Sequence, residues 1–257
     1  MLMKRLIICL DIRDGMVTKG VRFEGNRDIG DPASLARRYY EQGVDEMVFY
    51  DITASAEGRP IDIGMVRGVA EQIFIPFTVG GGLGSLADMR SALLAGADKV
   101  SLNSLAVRRP DIIREGAREF GNQCIVLGLD AKRRDGEAAF PSGCEVVVRG
   151  GRTPTGMDAV EWAKRAVDLG AGEICLNCID ADGARDGYDL DITRKVAMAV
   201  PVPVVASGGA GETRHLLDAL TRGGADAALI ASMAHIDGRS CRDMKRELRG
   251  MGVPMRA

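Results

Sequence analysis

The 257-residue chain is predicted to be an α/β protein, a single (β/α)8 TIM barrel over residues 1–257 built from two similar half-barrels. Three observations predict it. Short apolar runs of strand character alternate eight times with amphipathic stretches of helical spacing, with no Pro-rich linker between them. The length is ordinary for such a barrel in one domain. The chain also repeats itself: "GADKVSLNS" (96–104) returns as "GADAALIAS" (224–232), "FTVGGG" (77–82) as "VASGGA" (205–210), and "GVDEMVFY" (43–50) as "GAGEICLN" (170–177). Spacings that drift only through loop lengths describe two four-strand halves. A doubly wound sheet is the alternative, and eight units of this regularity favour closure.

Taken in order, the strands are expected at 6–11, 46–52, 76–81, 99–103, 124–130, 173–178, 203–207 and 227–232. Helices are expected in "DPASLARRYYEQG", "SLADMRSALLAG", "DIIREGAREFG", "GMDAVEWAKRAVDLG" and "ETRHLLDALTRGG". Several end in Gly, which suits the left-handed position just past a helix C-terminus. The segment "TKGVRFEGNRDIGDP" (18–32) is long and polar for a first strand-to-helix loop. Gly20, Gly25 and Gly30 could hinge it as a lid over the barrel mouth, or it is a solvated loop. Segment 137–155, "EAAFPSGCEVVVRGGRTPT", has no pattern that fixes its conformation.

Composition narrows the function classes. The apolar share of 46% can build a sizeable core. A net charge of −2, from 34 basic and 36 acidic residues with no single-sign block, argues against nucleic acid as the main partner. No run approaches the ~20 apolar residues needed to span a bilayer, so no membrane is expected. The start, "MLMKRLIICLDI", reads as a first strand and not as a signal peptide. Of six cysteines, Cys9, Cys124, Cys175 and Cys178 sit in apolar strand-like runs, whereas Cys144 and Cys241 do not; a cytoplasmic, reduced protein is the simplest reading. "CLNC" (175–178) lies mid-strand, where alternation sends Cys175 and Cys178 to opposite faces, and no second Cys/His pair completes a zinc site. No metal and no cofactor is expected.

Barrel active sites lie where the strands end. "IICLDIRDG" (7–15) and "IVLGLDAKRRDG" (125–136) each close an apolar run on an aspartate, Asp11 and Asp130. In an eight-stranded barrel, strands 1 and 5 are diametrically opposed, so the two carboxylates face each other across the mouth. Such a pair suits general acid–base catalysis, with one group protonated and the other ionised. Strand-end aspartates also cap turns, and Asp51, Asp180 and Asp182 fit that role equally well. The turns "GGG" (80–82) and "SGG" (207–209) are each followed one strand later by a small polar pair, Asn103-Ser104 and Ala231-Ser232. Exposed amides in such turns bind phosphate, and the usual barrel phosphate site comes from the loops after strands 7 and 8. The repeat copies that site onto strands 3 and 4, which points to a long substrate with a phosphate at each end. The plainer alternative is that the glycines allow tight turns. Of the two histidines, His215 is expected on an exposed helix face, and His235 to pack or cap.

These residues resemble a known family. "CLDIRDGMVTKG", "FYDITAS", "FTVGGG", "GADKVSLNS", "GAGEI", "DADG…DGYD" and "VVASGGAG" are similar, over essentially the whole chain and in order, to the cyclase subunit of imidazole glycerol phosphate synthase. The resemblance implies an enzyme of histidine biosynthesis that uses ammonia released by a glutaminase partner. It would convert a bis-phosphorylated phosphoribulosyl-formimino-aminoimidazole carboxamide ribotide to imidazole glycerol phosphate and aminoimidazole carboxamide ribotide. By the same resemblance Asp11 and Asp130 are the catalytic pair and Lys19 the lysine of the first loop. Gly81, Gly82, Asn103 and Ser104 would serve one phosphate, with Asn177, Asp182, Gly183, Gly208, Gly209, Ala231 and Ser232 around the other. Arg5, Glu46, Lys99 and Glu173 match a ring of alternating charges at the opposite end, a gate for ammonia, with the glutaminase docked on that N-terminal face as a heterodimer. A salt-bridge ring that closes the barrel is the structural alternative, compatible with the first. The chain departs from many relatives at Asn177, Cys178 and Ala184, which implies adjusted substrate contacts. Alternative readings are a paralogue serving a sugar amidotransferase, the sister isomerase of the same pathway, and a barrel kept as a scaffold, which should have lost Asp11 or Asp130.

Overall fold

Most of the barrel strands are apolar on both faces because one side fills the interior and the other carries helices. Leu6, Ile8, Leu10 and Ile12 pack outward under the helices, while Ile7 and Cys9 of the same run point into the barrel. The computed structural model describes residues 3–21, 24–134 and 136–256. Its barrel strands, numbered here β1 to β8, are Arg5–Arg13, Glu46–Asp51, Phe77–Gly80, Lys99–Leu102, Ile125–Arg133, Glu173–Cys178, Val204–Ser207 and Ala227–Ile230. All eight run parallel, and the pairing of β1 with β8 (Arg5 beside Ala227) and of β5 with β6 (Val126 beside Glu173) leaves the ring without an edge. β1 and β5 therefore stand four strands apart in either direction. The expected strands are present within two residues at each end, apart from β5, which runs on to Arg133.

Caps fix the helices that follow. Asp31 accepts the Ser34 N–H at 2.8 Å ahead of helix Pro32–Glu41, which buries Leu35, Ala36 and Tyr39. Asp158 does the same for helix Ala159–Leu169, and Gly170 closes that helix at φ 115°.

The half-barrel repeat has a structural signature at the strand starts. The residue just before β2, β4, β6 and β8 donates its N–H to the first or second residue of the preceding strand: Asp45 to Leu6 at 3.1 Å, Asp98 to Phe77 at 2.8 Å, Gly172 to Ile125 at 2.9 Å and Asp226 to Val204 at 2.8 Å. Three of the four also return a carboxylate to that residue's own N–H, at 2.8 Å for Leu6, 2.8 Å for Phe77 and 3.1 Å for Val204. Asp45 is further held by Lys245 of the last helix at 2.6 Å, with both side chains buried.

Two segments carry structure beyond the expected strands and helices. Segment 18–32 is not a plain loop: strands Met16–Val21 and Glu24–Gly30 pair as a hairpin that adds antiparallel to the end of β1, Asp11 beside Thr18. Val17 and Thr18 are fully buried there, which a solvated loop would not achieve. Residues 22 and 23 of this segment lie outside the described residues. Segment 137–155 contributes a second hairpin, Cys144–Val148 with Thr153–Asp158, which adds antiparallel to the end of β5, Asp130 beside Val147. The two hairpins occupy equivalent places in the two halves. Cys124 sits in a short turn before β5 instead of inside it. Among the described residues, no helix is long and apolar enough to cross a membrane.

Candidate active site

Alternation along the strands decides what enters the barrel. Inward residues of the lower half are Ile7, Val48, Val126, Val205 and Ala227, a mostly apolar layer joined by Thr78, whose hydroxyl donates to Glu46 at 3.4 Å. Above it Cys9, Tyr50, Ser101, Cys175 and Leu229 floor a cavity of about 410 Å³ that opens at the C-terminal end of the strands. The Tyr50 and Ser101 hydroxyls hydrogen-bond to each other at 3.0 Å, so this floor carries a satisfied polar pair. Two residues above Cys9 and Gly128 stand Asp11 and Asp130, both on the cavity wall.

The two carboxylates have different neighbours. Asp11 lies 3.3 Å from the Lys19 ammonium and accepts the Cys9 S–H at 3.1 Å. The first hairpin brings Lys19 there, and the lysine reaches Asp182 as well, at 3.5 Å. Burial works against the lysine's charge, but the carboxylates of Asp11 and Asp182 outweigh it and hold its pKa above the ordinary value. Among the described residues, no cation pairs with Asp130. It accepts amide N–H bonds from Asn103 at 2.8 Å and Asn177 at 3.3 Å. Burial raises its pKa to about 6, against the pull of those two amides. Burial likewise raises Asp182, with Lys19 opposing. A carboxyl group poised near neutrality opposite one held by an ammonium is an arrangement that can give and take protons.

The glycine turns form opposite rims of the same cavity. Gly81 (φ 85°) and Gly82 (φ 67°) follow β3, and Gly208 (φ 87°) and Gly209 (φ 109°) follow β7. A methyl group on Gly81 would sit 2.1 Å from the Asp51 carbonyl oxygen, and one on Gly209 2.0 Å from that of Gly187, so neither position admits another residue unchanged. Asn103, Ser104, Asn177, Asp182, Gly183, Ala231 and Ser232 complete the lining. Asp11, Asp130, Lys19 and all the phosphate-site residues named from the resemblance thus line one cavity. Asn177 accepts the Ser207 hydroxyl at 3.2 Å, which aims its amide at Asp130. The side-chain amide oxygen of Asn103, Oδ1, is buried with no partner among the described residues.

Other candidates have structural work. Asp51 accepts the N–H of Ala54 at 2.9 Å and binds Arg59 at 2.7 Å, which makes it a turn residue. Asp180 accepts the Arg133 N–H at 2.8 Å. His235 bridges Tyr39 (2.6 Å) and the Cys9 carbonyl (2.8 Å) behind β1, a packing role as expected. His215 departs from the expected exposure: it is half-buried because its Nδ1 accepts the Gly211 N–H at 3.1 Å. Cys175 faces the barrel interior and Cys178 the outer core, as alternation requires.

Sequence reasoning missed Arg13, Arg149 and Arg152, which also line the cavity. The last two belong to the second hairpin, and the half-barrel repeat was the available signal: whatever follows β1 over the mouth has a counterpart after β5.

At the far end four charges close the barrel. Arg5 bonds Glu46 and Glu173 at 2.6 Å each, and Lys99 bonds the same two carboxylates at 2.6 Å each. The glutamates are 2% and 5% exposed. Burial opposes both cations, but the paired carboxylates keep them above their ordinary pKa values. The predicted ring is therefore a closed circuit of four ion pairs at the strand starts, one apolar layer below the cavity floor.

Comparison with known proteins agrees with this architecture. The histidine biosynthesis protein family matches residues 5–238. Imidazole glycerol phosphate synthase subunit HisF of Nitratidesulfovibrio vulgaris is 59% identical over 256 residues, covering 100% of this chain and 99% of that protein. The proteins of the same name from Oleidesulfovibrio alaskensis and Desulfosudis oleivorans are 60% and 59% identical over the same length and share of each chain. With a closed barrel, a two-rimmed cavity and relatives this similar from end to end, the chain belongs to the histidine biosynthesis protein family, among the HisF subunits of imidazole glycerol phosphate synthase.

Proposed function

We propose that this enzyme takes ammonia from a glutaminase partner and joins it to the phosphoribulosyl-formimino-aminoimidazole carboxamide ribotide. It releases imidazole glycerol phosphate and aminoimidazole carboxamide ribotide. The observation that carries this reading is the pair Asp11 and Asp130 in one cavity, between two glycine rims that each continue to a serine. The rims anchor the two phosphates through backbone amides and the Ser104 and Ser232 hydroxyls. The substrate then spans the mouth with its reacting centre between the carboxylates. Asp130 exchanges a proton near neutral pH, while Asp11 and Lys19 manage charge on the opposite side. The unpartnered Asn103 oxygen offers an acceptor for a substrate N–H or O–H.

Ammonia enters at the other end through the Arg5–Glu46–Lys99–Glu173 ring. Five of the seven large apolar side chains exposed among the described residues support a partner there. Met3, Phe74, Leu94 and Met198 stand shortly before strand starts, and Met251 follows the last helix beside them. Such a cluster marks a protein interface. The absence of a membrane-crossing helix among the described residues and six free cysteines, five of them buried, are consistent with a cytoplasmic enzyme.

The test is turnover of the bis-phosphorylated ribotide by the isolated chain with an ammonium salt. Formation of both products is the expected result. No turnover by folded protein at saturating ammonia would reject the assignment.

A further inference from the structure

Eight charged side chains line the cavity, four acidic and four basic. Six are already engaged. Lys19 sits between Asp11 and Asp182, Asp51 holds Arg59, Arg13 contacts Asp28 at 3.4 Å, and Asp130 takes two amides. Arg149 and Arg152 are exposed, and neither has a carboxylate partner among the described residues. Both sit at the tip of the second hairpin, between strands Cys144–Val148 and Thr153–Asp158. The tip is seated on one rim in particular, because the Arg149 N–H donates to the Ser104 hydroxyl at 3.1 Å. Arg149 also holds φ 56°, a left-handed conformation unusual for an arginine, followed by Gly150 and Gly151 at 66° and 77°. Among the described residues, the opposite rim has no matching pair. Arg185, the cation near Ser232, is neutralised by Asp237.

We propose that Arg149 and Arg152 clamp a phosphate at the Gly82–Ser104 rim. That rim becomes the charge-anchored end of the substrate, and the Gly209–Ser232 rim holds its phosphate by neutral donors. The inference rests on the doubly phosphorylated substrate proposed above. Guanidinium groups suit this task because two parallel N–H donors match two phosphate oxygens. The clamp also gives a near-symmetric barrel a reason to bind an asymmetric substrate in one direction only.

The experiment compares the wild-type chain with R149Q/R152Q, whose substitutions lie on an exposed tip. Crystals soaked in graded inorganic phosphate should fill the Ser104 rim of the wild type first, and the variant should lose that preference. With the ribotide and an ammonium salt, KM should rise about tenfold or more, the scale of a lost charge-assisted bond, with kcat within about threefold. R149K/R152K should recover part of the loss, because charge remains while the fork is gone. Added salt should raise the wild-type KM more steeply than that of R149Q/R152Q. Equal phosphate occupancy of the two rims in the wild type, or an unchanged KM in the glutamine variant, would overturn the clamp. If the wild type fails to turn over the ribotide, the functional reading falls, while the phosphate occupancies still decide the clamp.

Discussion

Asp11 and Asp130 end opposite strands of one barrel, yet an ammonium faces the first and two amides face the second. The half-barrel repeat duplicated the carboxylate and then gave each copy different company. Lys19 comes from the first hairpin, and the second hairpin puts Val147 and Val148 in the corresponding register beside Asp130. A pair of like groups in unlike surroundings can divide acid and base roles between them.

Replacing either carboxylate tests that division. D11N or D130N should lower cyclisation by at least ~100-fold, the ordinary scale for losing an acid–base group. KM should change far less, because the phosphates anchor the substrate at rims that neither substitution touches. Steady-state kinetics with an ammonium salt decide the matter, and near-normal kcat in both variants would end the assignment.

The pH profile should carry the signature of Asp130. At constant free ammonia, kcat/KM should show a limb near pH 6, where this carboxyl group titrates. The amides of Asn103 and Asn177 favour the ionised form, so removing one raises the pKa. N177A should therefore move the limb to higher pH. A limb that stays in place, or moves down, contradicts the role given to Asp130.

Stability offers an independent reading of the same group. A carboxyl group whose folded pKa lies above its unfolded value stabilises the protein most below the unfolded value, and that contribution is lost as pH rises through the folded one. For Asp130 the window runs from about 4 to about 6. Above it the buried charge costs at most about 3 kcal/mol, taking 1.36 kcal/mol per pKa unit. D130N should accordingly gain stability relative to wild type between pH 4 and pH 7, read as the difference in urea midpoints. A difference that is flat with pH would show that the site does not strain the ionised form.

The barrel was legible because its strands are apolar runs bounded by charges and glycines, and because two halves of the chain spell the same pattern. Asp11, Asp130 and both glycine rims were legible for the same reason. The hairpins were not. In "TKGVRFEGNRDIGDP" charges alternate with small residues, and the burial of Val17 and Thr18 arises from pairing with β1, a contact that no local pattern announces. In 137–155 the run Val146–Val148 has strand character, but its partner is the extension of β5 past the barrel. Arg149 and Arg152 entered the site only once that pairing was known. His215 was misread because a helical position says nothing about the Gly211 N–H that comes to meet it.

The charge ring separates the two ends of the molecule. Lys99 donates to Glu46 and Glu173 at 2.6 Å each, and its removal leaves two buried carboxylates sharing Arg5. If the ring gates ammonia delivered by a docked glutaminase, K99A should disturb glutamine-dependent turnover while sparing turnover with free ammonia, which enters through the open mouth. A shift of about tenfold in the ratio of the two activities corresponds to about 1.4 kcal/mol in the delivery step. If the ring only closes the barrel, the variant should lose ~3–5 kcal/mol of stability, and both activities should fall together. The comparison is made on protein shown by circular dichroism to be folded at the assay temperature, so that instability cannot imitate a gate. An unchanged ratio in folded K99A means that ammonia does not depend on this ring for its passage.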